Sequence, residues 1–318
     1  MSERPFQHPT LHESLRSAAD RGEALGDVIE SIAQACREIA GRVRRARLQD
    51  ILGDAGSRNV HGEDQQKLDA LSNELLLDHL ARCPAVGVCA SEEEEEAVVV
   101  RARGDGGEFC VAYDPLDGSS NIDVAVNVGT IFSVLPNDLD PASPLQRGER
   151  QLAAGYVVYG SSVLMVLSLG DGVDLYVLDP DLNEFVRVEE RLRMPDRKRV
   201  YSLNEAYRDD FPEGYRNYLD YAHANGYSSR YIGSMVGDVH RTLLKGGVFL
   251  YPPTSAAPSG KLRLLYEGNP MSLLIEQAGG TADTGSGRIL EVEPGELHQR
   301  TPVVLGSREE VAHVLERL

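Results

Sequence analysis

The sequence predicts an α/β protein in two parts: an N-terminal lobe of helices beside a sheet over residues 1–195, and a C-terminal α/β lobe over residues 196–318. Three observations carry this reading. Apolar residues recur at helical spacing up to residue 82. Between residues 86 and 178 short apolar runs alternate with turn residues, the pattern of strands in a mostly antiparallel sheet. Beyond about residue 193, helix-like and strand-like stretches alternate. A chain of 318 residues can form one large domain or two of ordinary size, each with its own core.

Residues 23–48 place Val28, Ile32, Ala35, Cys36, Ile39 and Val43 on one helical face, and Arg42, Arg44, Arg45 and Arg47 complement the C-terminal dipole. Residues 53–63 are Gly-rich and polar and read as a mobile loop. A second helix over 65–82 buries Leu68, Leu71, Leu75, Leu76 and Leu80. Strands are expected over 86–89, 97–101, 109–113, 129–135, 153–159, 163–169 and 175–178, with a proline-rich loop over 136–150. The second lobe should hold helices over 214–225, 235–245 and 271–278 and strands over 200–203, 247–251 and 301–305. The lobes should divide near 190–198.

The formal net charge of −18 argues against nucleic acid or an anionic membrane as partner. Only four of the 32 basic residues are lysine (Lys67, Lys198, Lys245, Lys261). An acid surplus with scarce lysine fits a salt-rich, halophilic cytoplasm, where screening makes self-repulsion tolerable; a GC-rich genome would also favour arginine. No run of about 18 apolar residues predicts a membrane span, and residues 1–10 carry no secretory pattern. The cysteines, Cys36, Cys83, Cys89 and Cys110, lack metal-binding spacing and read as buried thiols of a reducing cytoplasm.

The chemistry concentrates in residues 114–123, Asp-Pro-Leu-Asp-Gly-Ser-Ser-Asn-Ile-Asp. Pro115 cannot extend a central strand, so the chain is expected to turn there and present Asp114 and Asp117 at a strand's C-terminal end. Gly118 permits close approach of a ligand, and the amides after it can cradle an anion. Carboxylates for hard cations beside amides for phosphate point to metal-assisted phosphoester chemistry. Other segments add Asp69, Glu92 and Glu93, and Glu267. A glutamate run is ordinarily a solvated face, and Glu94, Glu95 and Glu96 are read so. Arg230, Lys261 and Arg263 beside tyrosines suit holding a phosphate without hydrolysing it.

Several motifs in order over residues 22–278 resemble class I fructose-1,6-bisphosphatase, a member of the inositol monophosphatase-like sugar phosphatase superfamily. They are residues 114–123, Ser91-Glu92-Glu93, Asn204-Glu205-Ala206-Tyr207, Arg230-Tyr231-Ile232-Gly233-Ser234-Met235, Phe249-Leu250-Tyr251-Pro252, and residues 260–271. The resemblance implies a layered α-β-α-β-α fold, a homotetramer, and hydrolysis of the 1-phosphate of fructose 1,6-bisphosphate in gluconeogenesis. It implies two or three Mg²⁺ ions, or Mn²⁺, on Glu92, Glu93, Asp114, Asp117, Glu267 and the Leu116 carbonyl. Asp69 with Glu93 would orient and deprotonate the attacking water, and Asp117, Gly118, Ser119 and Ser120 would meet the 1-phosphate. The 6-phosphate would meet Asn204, Tyr207, Tyr231, Tyr251 and Lys261, with Arg230 donated by a neighbouring subunit. Arg263 is left as a supporting candidate. Sedoheptulose-1,7-bisphosphatase is built on the same motifs and is the close alternative; a catalytically silent sugar-phosphate sensor is the non-enzymatic one.

The chain departs from the family where many members bind AMP as an inhibitor. Arg21-Gly22-Glu23-Ala24-Leu25 lacks two hydroxyls, a Lys-Tyr pair is replaced by Glu108-Phe109, and an arginine by Pro136. A glutamate in place of a cation repels phosphate, so AMP inhibition through that site is not expected. Ala206 stands where glycine is usual.

Overall fold

The computed structural model describes residues 8–17, 22–49, 51–58 and 64–318. Two helices, α1 (Leu11–Ser17) and α2 (Glu23–Arg45), precede a small hairpin of β1 (Asp54–Arg58) and β2 (Asp64–Gln66), then α3 (Lys67–Arg82). An eight-stranded sheet follows: β3 (Val86–Ser91), β4 (Val98–Val99), β5 (Phe109–Asp117), β6 (Val128–Pro136), β7 (Ala153–Tyr159), β8 (Val163–Ser168), β9 (Asp174–Asp179) and β10 (Glu184–Glu189). Its spatial order is β10-β9-β8-β7-β6-β5-β3-β4, antiparallel throughout except where β3 lies parallel to β5.

The remaining chain forms β11 (Val200–Ser202), α4 (Glu213–Ala224), β12 (Ser228–Ser229), α5 (Met235–Lys245), β13 (Val248–Tyr251), β14 (Leu262–Arg263), α6 (Asn269–Gln277), β15 (Thr281–Asp283), β16 (Arg300–Thr301), β17 (Val303–Gly306) and α7 (Arg308–Leu315). A five-stranded sheet runs β12-β11-β13-β17-β15, and β14 pairs separately with β16.

Alternation along the strands builds the layers. Ala153, Val157 and Tyr159 of β7 face the core formed with α2 and α3. Ala154, Tyr156 and Val158 face the opposite way, onto α5, α6 and the second sheet. Likewise Phe249 joins that central core, while Val248 and Leu250 meet α4 and α7. Each sheet thus lies between two helical layers, giving the expected α-β-α-β-α order. All four cysteines are buried free thiols.

Besides α7, β12, β14 and β15, which were not foreseen, four details differ from expectation. The stretch read as a loop over 53–63 supplies β1, with residues 59–63 outside those described. The short α1 and the edge strand β10 carried too few apolar positions to be recognised. Pro302 divides the expected strand over 301–305 into β16 and β17. The fourth is mechanistically relevant: β5 continues through Pro115 to Asp117. Its parallel neighbour β3 stops at Ser91, opposite Tyr113, so the missing Pro115 amide faces no strand on that side. On the other side, Asp114 to Asp117 spans only Ile131 to Gly129 of β6, a one-residue bulge. Thr130 Oγ1 donates to the Pro115 carbonyl at 2.9 Å and fixes it.

The sheet also fixes where side chains cannot grow. Gly155 lies opposite Phe132 across β6 and β7, and a Cβ there would fall 2.4 Å from the Phe132 ring. Gly155→Ala should therefore destabilise the protein by about 2 kcal/mol through overpacking, read as a lower denaturation midpoint in urea; an unchanged midpoint would show that the ring moves freely.

Candidate active site

The site forms where three elements end together. The bulged end of β5 presents Asp114 and Asp117, the chain leaving β3 presents Glu92 and Glu93, and a turn of π-helix over Leu264–Gly268 presents Glu267 just before α6. Such widened turns recur at functional sites because they re-aim one side chain. Oxygens of Asp114, Asp117 and Glu267 lie within 4.8 Å of one another. Asp114 and Glu267 are buried, at 4% and 3% exposed. Two backbone amides hold the pair on β5: Leu116 N–H donates to Asp114 Oδ1 at 2.9 Å, and Val236 N–H, from the start of α5, donates to Asp117 Oδ2 at 2.8 Å.

One cation stands among these acids. Arg263, itself buried, pairs with Glu92 at 2.8 Å and donates its backbone N–H to Glu267 Oε2. Desolvation, with repulsion from Glu92 and neighbouring carboxylates, raises Asp114 well above the usual carboxylate range. Burial raises Asp117 and Glu267 in the same direction, partly opposed by the Val236 amide and by Arg263 respectively. A buried set of hard oxygen donors, short of positive charge, fits a divalent metal cation.

Asp69 occupies the first turn of α3 and is 6% exposed, not the surface residue its helix position alone would indicate. Its Oδ2 accepts the Gln66 amide at 3.1 Å, closing the helix end, and its Oδ1 is buried without a hydrogen-bond partner among the described residues. Burial first, then Glu93, pushes its pKa up to about 7, with the Gln66 amide opposing. A carboxyl titrating near neutrality is suited to take a proton.

The phosphate turn and the second lobe close the other side. Gly118 adopts φ +77°, and a Cβ there would lie 3.0 Å from Ser234 Oγ. Asp117, Gly118, Ser120, Tyr231, Tyr251 and Lys261 line one cavity of about 160 Å³, which also reaches Arg263 and Glu267. Tyr251 and Lys261 are shared with an adjoining cavity of about 300 Å³, where Asn204 and Tyr207 lie. Arg230 joins neither: its guanidinium is exposed and donates to the Ser229 carbonyl at 2.7 Å. Ser119, between Gly118 and Ser120 in sequence, is half-buried and does not line the first cavity.

Two family models match the chain in succession: the N-terminal domain of fructose-1,6-bisphosphatase over residues 8–190 and its C-terminal domain over residues 194–318. The chain belongs to the fructose-1,6-bisphosphatase family. It is 47% identical over 299 residues to a class 1 fructose-1,6-bisphosphatase of Chlorobium chlorochromatii, covering 90% of each chain. A Persephonella marina relative of the same description is 46% identical over 98% of this chain and 94% of its own length. The holo-form crystal structure of Leishmania major fructose-1,6-bisphosphatase superposes with a TM-score of 0.94 at 40% identity, covering 98% of this chain and 99% of that one.

Within this fructose-1,6-bisphosphatase fold, Glu95 and Glu96 are exposed, as a solvated face requires, whereas Glu94 is half-buried and accepts from Asn73 Nδ2 at 2.7 Å. Sequence reasoning missed Asn121, whose Nδ2 donates to the Gly233 carbonyl at 2.9 Å, and Asp238. Asp238 had a readable signal: an acid on the apolar face of α5, in register with Met235, Val239 and Thr242.

Raised carboxyl pKa values make the metal-free fold hold more protons than the unfolded chain, so this part of its stability falls as pH rises from about 4 toward 7, the value for Asp69. A cation needs the deprotonated groups and acts oppositely. Adding Mg²⁺ to chelator-treated protein should therefore raise Tm more at pH 8 than at pH 5.5; equal shifts would contradict this account of the cluster.

Proposed function

We propose that this chain hydrolyses the 1-phosphate of fructose 1,6-bisphosphate to give fructose 6-phosphate and phosphate, a gluconeogenic step, in the cytoplasm and as a homotetramer. The observation that carries the reading is the continuity of the carboxylate cluster with the cavity holding Lys261, Tyr231 and Tyr251. The substrate's two ends need opposite environments, and this cavity has them.

Glu92, Glu93, Asp114, Asp117, Glu267 and the Leu116 carbonyl would hold two or three Mg²⁺ ions, or Mn²⁺. When bound, such cations neutralise phosphate charge, acidify water and stabilise a leaving alkoxide. The chain's own residues do the rest. Gly118, Ser119 and Ser120 receive the 1-phosphate through amides and hydroxyls. Asp69 takes the proton of the attacking water, with Glu93 orienting it. Asn204, Tyr207, Tyr231, Tyr251 and Lys261 hold the 6-phosphate without offering a nucleophile. Arg230, turned out of its own cavity, is available to a neighbouring subunit; Tyr207, Tyr231 and Ile232, at 57%, 40% and 40% exposed, mark the surface around it. The second cavity leaves room beyond Lys261 for a longer ketose, so sedoheptulose 1,7-bisphosphate is retained as an alternative or additional substrate.

Inhibition by AMP is not expected. Phe109 pairs with Pro136 across β5 and β6, so two of the departing positions are neighbours, with the exposed Glu108 beside them. The surface acidity is expected to favour activity in molar KCl.

Phosphate release from the two bisphosphates and inositol 1-phosphate, with and without Mg²⁺ in low and molar KCl, tests the reading. Mg²⁺-dependent turnover of fructose 1,6-bisphosphate, unaffected by AMP, is expected, and Asp117→Asn should lower kcat/KM by on the order of 10³-fold. A folded protein without turnover at any salt would instead favour the sensor.

A further inference from the structure

Asp238 belongs neither to the carboxylate cluster nor to a surface ion pair, yet it lies 1% exposed in the first turns of α5. Its carboxylate takes up donors from two separated segments. Ser202 Oγ, at the end of β11, donates to Oδ1 at 2.6 Å. The Ile232 and Gly233 amides donate to Oδ1 and Oδ2 at 2.9 and 3.0 Å. The first segment leads directly to Asn204 and Tyr207. The second is the loop carrying Arg230 and Tyr231, with Gly233 at φ +85°. Asn121, from the phosphate turn, holds the Gly233 carbonyl from the opposite side.

We propose that Asp238 is a positioning residue that locks both halves of the distal-phosphate cradle into one geometry, and so sets the enzyme's preference for bisphosphates over monophosphates. This rests on the assignment of those residues to the 6-phosphate made above. A carboxylate is required because all three groups it meets are donors, and an acid accepts at both oxygens. An asparagine of the same shape presents an NH₂ to one of them, leaving a buried donor facing a donor. The loop must then shift at Gly233 or β11 must release Ser202. Either movement displaces the tyrosines that meet the distal phosphate, while the 1-phosphate turn, tied to that loop only through Asn121, keeps its main support as the continuation of β5.

A purely structural anchor would lower turnover of every substrate in proportion. The test therefore compares kcat/KM for fructose 1,6-bisphosphate and fructose 1-phosphate, with Mg²⁺ saturating and folding checked by thermal unfolding. Wild-type protein should prefer the bisphosphate; no preference would remove the distal-phosphate assignment, and the present proposal with it, before any variant is made. Asp238→Asn should lose at least tenfold more kcat/KM for the bisphosphate than for the monophosphate, mainly through KM, as expected for lost charge-assisted bonds. Ser202→Ala removes one donor, keeps the carboxylate, and should move the same ratio by about threefold; it decides the matter should Asp238→Asn fail to fold. Parallel losses on both substrates, or an unchanged ratio in the folded variants, would overturn the proposal.

Discussion

Mutual repulsion among buried carboxylates is the constraint on which the rest of this structure depends. Two unit charges 4 Å apart repel by about 4 kcal/mol at an effective dielectric of 20. Asp114, Asp117 and Glu267 approach within 4.8 Å, with Glu92 against them. A typical fold is stable by about 5–15 kcal/mol in total, so fully ionised acids at this spacing would consume much of it. The molecule meets the cost in three ways: amides from Leu116 and Val236, the guanidinium of Arg263, and raised proton affinity. Ionising the cluster, which metal binding requires, removes the last of these three. The remaining demand for positive charge is what a divalent cation and its phosphate complex satisfy.

The architecture keeps that crowding in place. The acids come from the ends of β3 and β5, the pair of parallel strands in an otherwise antiparallel sheet, and from the π-turn before α6. The central core joins the first sheet to the second through α5 and α6, so the two sides of the site are held by one packed layer. The Val236 amide at the head of α5 reaches Asp117, and two residues later Asp238 fastens the loop of Arg230 and Tyr231. One short helix therefore contacts both the charge-demanding end and the phosphate-holding end of the site.

Much of this was legible in the chain because local pattern and tertiary role agree. Strands such as β7, buried on both faces, announce themselves as apolar runs, and α5 was bounded correctly by its periodicity. The acidic motif was readable because Asp, Pro and Gly each constrain backbone and chemistry at once. What failed depended on neighbours. Pro115 looked like a stop, but whether a proline ends a strand depends on what pairs on its amide side, and β3 had already ended. Asp69 was singled out through the motif resemblance, whereas its burial comes from the packing of α3 on β5, which helix periodicity does not reveal. Asp238 was passed over although its place on the apolar face of α5 marked it; only its partners, Ser202 and the 232–233 amides, needed the fold to be seen. Arg230, read as donated to a neighbouring subunit, has its guanidinium on the Ser229 carbonyl, outside both cavities of its own chain.

The account stands or falls on whether the carboxylate cluster is a metal centre. Crystals grown with excess Mn²⁺ and phosphate, and an anomalous difference map recorded from them, test this directly. The account predicts a peak within about 2.2 Å of oxygens from Asp114, Asp117 and Glu267, roughly the distance expected for a divalent cation on carboxylate oxygen. A map without a peak among these residues, with Glu92 still paired to Arg263, would contradict it.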